Sequence, residues 1–133
     1  MTKTPSPSET LERFLGYYRA DDHDGLRSIT APDAVWREAE SLPYRGEWHG
    51  ADGFIDLVRE INTPMVFEVE SHTMHEAGEV VTLELTGVFV SRATGRRLSM
   101  PIIELYRVRG GLVYGADIYY FDTAALNELA AER

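Results

Sequence analysis

Two glutamates stand in surroundings that can make a carboxyl group catalytic. Glu104 lies within the apolar run 102–106. Burial there would disfavour its charged form and raise its pKa, as a general acid or a hydrogen-bond donor requires. Glu38 follows Trp36 at the end of a short strand-like segment, beside a long loop. There it could take a proton from a carbon acid or activate water, so the two residues together predict acid–base chemistry.

Each glutamate also has a structural alternative. Glu104 could face water or a second copy of the chain and pair with Arg107. Glu38 could be a solvated acid at a strand end, paired with Arg37 or Arg45. Perturbed carboxyls occur in such ion pairs as well as in active sites. The residue types alone therefore leave both interpretations open.

Aromatic residues could line a cavity around these acids, because small-molecule pockets are mostly apolar with a few polar groups. The expected ligand is a small, flat and largely apolar molecule. The alternative is that the same rings fill the core, which helical spacing favours for Tyr18. The candidate lining residues are Tyr18, Trp36, Trp48, Tyr106, Tyr114 and Tyr120.

The sequence offers no metal site or cofactor motif, so neither a metal nor another cofactor is expected. His72 and His75 are three apart on a predicted strand and point to opposite faces, so they cannot chelate one ion. There is no cysteine, and neither a Gly-rich phosphate loop nor a nucleophile elbow is present. His49 lies in a loop and could reach the mouth of a cavity as an acid or base.

Length and charge limit the class of protein. The chain of 133 residues suits one domain, predicted over 1–133. Its net charge of −9 repels phosphates, so nucleic acid and anionic membranes are not expected as partners. The apolar runs are too short to span a bilayer, and the first ten residues lack a secretory signal. A cytoplasmic location is the expectation.

Helical periodicity dominates the first half of the chain. After a loose tail at residues 1–5, Ser6 and Glu9 form a capping-box pattern that predicts a first helix. Asp22 can cap a second, short helix. Residues 51–61 carry apolar side chains at i, i+3, i+4 and i+7, which predicts a third.

Strand periodicity dominates the second half. Gly110-Gly111 between two long β-rich runs is a hairpin signal. Helices segregated from long antiparallel strands predict an α+β, cone-shaped domain, with three N-terminal helices on the concave face of a curled, mostly antiparallel sheet. The predicted elements are a turn at 31–33, a short strand at 34–38, long strands from 65, at 80–90, at 98–109 and at 112–122, and a closing helix at 123–133.

These elements, in this order, resemble the nuclear transport factor 2-like superfamily, in its SnoaL-like and ketosteroid isomerase-like branch, over roughly residues 8–125. The superfamily holds isomerases, cyclases, dehydratases, epoxide hydrolases and non-catalytic modules, so fold alone does not determine function. The stretches that carry the resemblance are LERFLGYYRADDHDGL, DAVWRE, LPYRGEWHGADGFIDLV and IIELYRVRGGLVYGADIYYFD.

The resemblance to ketosteroid isomerases implies roles for three residues. Glu38 takes the place of the carboxylate base, and Glu104 takes the place of a second acid that stays protonated. This favours a pocket position for Glu104. Phe14 stands where those enzymes have an oxyanion-hole tyrosine, and phenylalanine cannot donate a hydrogen bond.

Other branches imply other positions. SnoaL-type cyclases and limonene-epoxide-hydrolase-like enzymes place an Asp on the last strand, where this chain has Ile118. The latter enzymes also use an Arg and an Asp where this chain has Val80 and Thr82. Phe14 and Ile118 are therefore expected to contact a ligand without reacting. The same resemblance favours a shared inner face for the tyrosines 106, 114 and 120.

The inner face of the strand at 80–90 stays open. Periodicity puts its apolar residues inside, whereas the resemblance puts Glu84 inside, between Thr82 and Thr86. One alternative adds a third acid to the cavity and the other excludes it. The apolar set is Val81, Leu83, Leu85 and Phe89.

The expected function is an enzyme of the isomerase, cyclase or dehydratase type that acts on a small apolar carbonyl or polyketide-like molecule. The alternative is a non-catalytic ligand-binding or dimeric assembly module of the same fold. Tyr119 and Phe121 are large side chains predicted on the outer face of the sheet, and such exposed apolar surface predicts a homodimer through that face.

Overall fold

The fold, a computed structural model, is described for residues 4–133. Part of the predicted loose tail, residues 1–3, lies outside the described residues. Over residues 4–133 the chain forms four helices and six strands. The helices are α1 (Pro7–Arg19), α2 (His23–Ile29), α3 (Gly50–Ile61) and α4 (Thr123–Ala130). The strands are β1 (Thr30–Glu38), β2 (Gly46–His49), β3 (Met65–Ala77), β4 (Val80–Ser91), β5 (Arg97–Arg109) and β6 (Leu112–Tyr120).

Three of the helices, α1, α2 and α4, begin at a side chain that caps them. The Ser6 hydroxyl accepts a hydrogen bond from the backbone N–H of Glu9, and the Glu9 carboxylate accepts one from the N–H of Ser6, which is the predicted capping box. Asp22 accepts from the N–H of Gly25 at 2.9 Å to begin α2. Asp122 caps α4 in the same manner. Local sequence thus fixes where each of these helices starts.

All six strands form one sheet in the order β2-β1-β6-β5-β4-β3. Neighbouring strands are antiparallel except β1 and β6, which are parallel. Gly115 on β6 lies opposite Val35 with a φ of +103°. A Cβ at Gly115 would sit 1.9 Å from the backbone oxygen of Val35. Only glycine permits this close approach of the two strands.

The predicted class is confirmed: a mixed α+β domain with a curled, open, mostly antiparallel sheet. The hairpin between β5 and β6 turns through Gly110 and Gly111, both at positive φ, as the sequence indicates. The turn predicted at residues 31–33 is wrong, because these residues lie within β1. Its pairing with β6 is irregular between Thr30 and Val35, and such an irregularity accommodates Pro32, which cannot donate to a strand ladder.

The long loop predicted beside Glu38 contains β2, which pairs with β1 at the sheet edge. β2 has four residues, and a strand this short leaves little alternation to detect. The strand predicted to end at Asp122 ends at Tyr120, because Asp122 caps α4. The closing helix ends at Ala130 and not at residue 133.

The apolar faces of α1, α2 and α3 pack with the inner face of the sheet to form the core. Phe14, Trp36 and Phe54 form an aromatic cluster at its centre, with ring centroids 4.8 to 5.8 Å apart. Within residues 4–133 no helix is both long enough and apolar enough to cross a bilayer. The helices and the curled sheet meet at this cluster and diverge beyond it, and the site lies in that space.

Candidate active site

A cavity of about 670 Å³ opens between the helical layer and the concave face of the sheet. One wall consists of α1 and α3, and the other of β1 and β3 to β6. The lining is predominantly apolar, supplied by Leu57, Leu83, Phe89 and Ile102 among others. A chamber of this size and character suits a small organic molecule.

Seven of the residues selected from the sequence line this cavity together. Two are the candidate acids, four are aromatic residues with a hydroxyl or indole N–H group, and one is aliphatic. They are Tyr18, Trp36, Glu38, Glu104, Tyr106, Ile118 and Tyr120. The sheet brings them together from α1, β1, β5 and β6, which are distant in sequence.

Three selected residues do not line the cavity. Phe14 is fully buried and stacks on Trp36 at 5.8 Å, so it supports the cavity wall from behind. Trp48 lies on β2 and donates its Nε1–H to the backbone oxygen of Tyr44 at 3.1 Å. Tyr114 packs under the guanidinium of Arg109, 4.6 Å from the ring centroid.

A β-bulge explains why Tyr114 lies away from the cavity. Tyr106 pairs with Ala116 and Val108 pairs with Val113, so Tyr114 and Gly115 together face a single residue of β5. The extra residue reverses the alternation of β6. Ile118 and Tyr120 therefore point inward, while Tyr114, four residues before Ile118, points outward.

The apolar phase of β4 faces the cavity, as hydrophobic periodicity indicates. Leu83, Leu85 and Phe89 line it. Glu84 points to the outer face, where its Oε2 lies 3.1 Å from Nε2 of His75. Glu84 therefore does not join Glu38 and Glu104 in the cavity, whose further glutamate, Glu68, lines it from β3. His49 also lies away from it, 3.4 Å from the Glu47 carboxylate.

Strand register sets the separation of the two acids. Glu104 pairs with Ile118 across β5 and β6, and Arg37 pairs with Asp117 across β1 and β6. Continuing the second register by one residue places Glu38 beside Ile118. The two acids thus lie on one row, two strand spacings or roughly 10 Å apart at the backbone. Their side chains can reach toward one functional group held above Ile118.

Glu38 is buried and is held by a chain of hydroxyl groups. Tyr120 donates its O–H to Oε1 of Glu38 at 2.8 Å, and Tyr44 donates its O–H to Oη of Tyr120 at 3.2 Å. The pKa of Glu38 is raised to about 8, chiefly by burial and to a lesser degree by the charge of Glu104, while the hydrogen bond from Tyr120 acts to lower it. Sequence inspection missed Tyr44, since a tyrosine in a loop carries no periodic signal.

Glu104 is partly accessible, lines the cavity, and receives no hydrogen bond from the described residues. Burial alone raises its pKa to about 7. Burial and then the charge of Glu104 raise the pKa of Tyr18. The same two causes raise the pKa of Tyr106, whose oxygen accepts from Nε1 of Trp36 at 3.4 Å. Both phenols therefore stay protonated and can act as hydrogen-bond donors.

The two carboxyls share about one proton near neutral pH, and their titration steps belong to the pair. The charge of Glu104 contributes to the high pKa of Glu38, and this contribution vanishes when Glu104 is protonated. The hydrogen bond from Tyr120 then remains and favours the charged form of Glu38. Glu104 has no comparable donor. Burial nevertheless leaves Glu38 with the higher pKa of the two, so a carboxylate at Glu38 beside a protonated Glu104 is the minor arrangement.

Among residues 4–133, no group of three or more His, Cys, Asp or Glu side chains is arranged to hold a metal ion. The carboxyls of Glu38 and Glu104 and three phenols instead line a mainly apolar chamber, with Arg19, Glu68 and His72 also in its lining. Such a site can remove a proton from a ligand at one point and donate a proton or hydrogen bond at another.

Comparisons with known proteins identify the family. The family model described as the SnoaL-like domain matches residues 11–116. No curated protein matches the sequence significantly. An NTF2-like protein from Burkholderia xenovorans LB400 superposes with a TM-score of 0.85 and 19% identity, over 98% of this chain and 99% of that one.

Two further solved structures share the fold. TerC, crystallised with polyporic acid, has a TM-score of 0.80 and 21% identity, over 94% of this chain and 98% of its own. A candidate polyketide cyclase from Xanthomonas campestris has a TM-score of 0.76 and 13% identity, over 94% and 96% of the two chains. At these identities the likeness shows the fold alone.

Proposed function

The chain belongs to the SnoaL-like domain family, and from that premise we propose that it is an enzyme performing acid–base chemistry on a small, largely apolar carbonyl or polyketide-like molecule. One observation carries the proposal: two carboxyls face one mainly apolar cavity from the same row of the sheet, and Glu38 receives a hydrogen bond from Tyr120. The proposed reaction needs no metal or other cofactor.

The proposed roles require the state of the pair in which Glu38 is ionised and Glu104 keeps its proton. The Glu38 carboxylate removes a proton from a carbon next to the substrate carbonyl, and the electron pair of that C–H bond moves to form an enolate. Glu104, still protonated, donates a hydrogen bond or its proton to the enolate oxygen. Donors aimed at developing charge in a dry site typically contribute about a hundredfold or more to the rate.

A second donor would come from a tyrosine. Phe14, which occupies the place of the oxyanion-hole tyrosine of ketosteroid isomerases, has no hydroxyl and lies behind the wall. Tyr18 and Tyr106 line the cavity, and the charge of Glu104 acts on both of them. Either hydroxyl could donate to the same oxygen as Glu104.

The enolate can then follow one of three balanced courses. If a double bond is conjugated with it, the enolate regains the proton from Glu38 at a more distant carbon in an isomerisation. In a cyclisation it attacks a second carbonyl of the same molecule, and the alkoxide that forms takes the proton from Glu38. In a dehydration it expels a β-hydroxyl, which takes the proton from Glu38 and leaves as water. Proton removal is common to all three. The polyketide cyclase name and the polyporic acid ligand of two structural relatives support a flat, oxygenated substrate.

The common step can be tested before the substrate is identified. 2-Tetralone, 1-indanone and acetophenone in D₂O at pH 7.5 serve as probes, with NMR following hydrogen–deuterium exchange next to the carbonyl. We expect the wild-type protein to accelerate exchange for at least one ketone and Glu38→Gln to lower that acceleration about a hundredfold or more. Glu104→Gln keeps a donor and should lose less rate than Glu104→Leu. Exchange by Glu38→Gln at the wild-type rate would exclude Glu38 as the base.

The second candidate function is a non-catalytic ligand-binding module. Phe14 and Ile118 favour it, because they are apolar at two positions where the resemblance implies catalytic groups. Binding of the same ketones without any acceleration of exchange would support this module over the enzyme. Quenching of Trp36, which lines the cavity, would report the binding.

A further inference from the structure

A second depression of about 440 Å³ lies beside the cavity, among the end of α1, α2 and α3. The two spaces are contiguous, because five residues line both of them. Tyr18 and Phe54 stand at this boundary with their rings edge to face, 5.8 Å apart. The shared residues are Tyr18, Arg19, Phe54, Val58 and Asn62. A ligand whose apolar body fills the cavity could extend a polar group into this outer groove.

The groove differs from the cavity in charge. Arg19, Arg59 and His23 line it together with one carboxylate, Asp21. Asp21 is engaged by Nε2 of His23 at 2.9 Å, and Arg59 pairs with Asp56 at 3.1 Å. Within residues 4–133 Arg19 forms no ion pair and is exposed at the boundary of the two spaces.

The charges set an orientation. The floor of the cavity holds the Glu38 and Glu104 pair, which repels an anion near neutral pH. The β3 side of the opening carries Glu68 and His72. Among residues 4–133 Arg19 is the arginine without an ion pair that lines both spaces, in a chain whose net charge of −9 discourages anions elsewhere.

We propose that the ligand is an amphiphilic acid whose flat apolar body occupies the cavity and whose carboxylate or other anionic group binds Arg19 in the outer groove. The inference rests on the proposed use of the cavity and adds the class of ligand and its direction of entry. Arg19 acts as a specificity-determining residue, and Arg59 adds positive potential. The guanidinium of Arg19 is suited to the task because it can bind a carboxylate through two hydrogen bonds.

A structural role for Arg19 makes a different prediction. Arg19 lies in the last turn of α1, where a cation stabilises the helix by interacting with its dipole. In that case replacing Arg19 would lower stability without distinguishing charged from neutral ligands. The proposal instead requires a loss that affects anionic ligands only.

Isothermal titration calorimetry with 2-naphthoate and its neutral isostere 2-naphthamide separates the two roles. We expect the wild-type protein to bind the carboxylate about tenfold more tightly at pH 7 and low salt. Arg19→Gln should abolish this preference while leaving the affinity for the amide unchanged. Arg59→Gln should reduce the preference partly. Arg13→Gln, a change at an exposed residue of the same helix that lines neither space, should alter neither affinity.

Salt provides a second readout. Raising the ionic strength should weaken binding of the carboxylate and not of the amide, because salt screens an exposed charge pair. Equal affinities of the wild-type protein for acid and amide would overturn the inference. An equal loss of affinity for both ligands in Arg19→Gln would overturn the inference too, since the effect would then come from packing. Because neither ligand reports on catalysis, these results are independent of the exchange assay for Glu38.

Discussion

Glu38 and Glu104, the two glutamates on the row inside the cavity, should make the protein less stable as the pH rises from 5 to 9. In the folded chain burial raises the pKa of Glu38 to about 8 and that of Glu104 to about 7, from an ordinary value of 4.5. Below that ordinary value both the folded and the unfolded chain keep these protons. Above it the unfolded chain loses protons that the folded chain retains, so the free energy of unfolding falls until the pH passes the folded-state pKa values.

The size of the loss follows from the same values. One pKa unit corresponds to about 1.4 kcal/mol, which gives upper limits of about 5 kcal/mol for Glu38 and about 3 kcal/mol for Glu104. The two do not add fully, because the charge of Glu104 already contributes to the value for Glu38. Domains of this kind have free energies of unfolding of about 5 to 15 kcal/mol in total. The effect should therefore be large enough to measure without any ligand.

Thermal unfolding followed by circular dichroism at pH 5, 7 and 9 tests the reasoning. Glu38→Gln removes the titrating group and keeps a carbonyl oxygen that can accept from Tyr120. Its Tm should lie close to that of the wild type at pH 5 and about 10 °C above it at pH 9, since 1 kcal/mol moves Tm by a few degrees in a domain of this size. Glu104→Gln should show a smaller gain. Glu12→Gln, a change at an exposed residue of α1, should show no gain that grows with pH.

A constant difference between Glu38→Gln and the wild type across the three pH values would refute the argument. It would mean that Glu38 ionises in the folded chain as readily as in the unfolded one. The carboxyl would then be solvated, and the proposed shared proton would not exist.

Two further predictions concern the relay of hydroxyls and the outer face of the sheet. Tyr120→Phe removes the hydrogen-bond donor to Glu38, so the pH at which the rate of ketone exchange rises should increase by up to about one pH unit. Tyr44→Phe should increase that pH by less. An unchanged pH profile in Tyr120→Phe would show that this hydrogen bond does not tune the base. Tyr119 and Phe121 are 57% and 80% exposed, and we propose that they lie in a homodimer interface. Light scattering of the wild type should give a mass twice that of the 15.0 kDa chain, and the double change Tyr119→Ser with Phe121→Ser should halve that mass. A wild-type species of 15.0 kDa would contradict the proposal.

The helices and the central hairpin could be predicted from the sequence because their signals are local. Ser6 and Glu9 cap α1 across three residues. Gly110 and Gly111 permit the positive φ angles of the turn between β5 and β6. Each feature needs only neighbours in the chain, so the order of the residues is enough to detect it.

The walls of the cavity were harder to predict, because they depend on how strands pair. For β4 the sequence left the inner face open, because periodicity favoured the apolar residues that line the cavity and the resemblance favoured the opposite face. The alternation of β6 misplaced Tyr114, because a bulge at Gly115 reverses the phase without any change in residue pattern. β2 was missed for a related reason. It is stable only as the edge partner of β1, and a strand of four residues has too short a pattern to be recognised alone.

The placement of Glu38 and Glu104 on one row of the sheet shows most clearly what sequence patterns leave out. The two residues come together through β6, and this needs the parallel contact of β1 with β6 that Gly115 permits. The relay that holds Glu38 needs Tyr44 from the loop after β1 and Tyr120 from the end of β6. None of these relations is visible in local periodicity. The sequence could supply the two acids, and only the register of three strands could place them on one row.

Stability alone would not favour two glutamates on one row of the sheet inside the cavity. Two glutamates in an apolar chamber weaken the folded state at neutral pH, whereas glutamine at either position would fill the same volume without a charge. The cost falls on the two residues that face the cavity, while the aspartate of the outer face, Asp117, is compensated by Arg37 and Arg107. The carboxyls inside the cavity have no cation paired with them among the described residues, whereas Asp117 outside has two. A proton-transfer site requires such unpaired carboxyls, because they must remain free to exchange protons with a ligand.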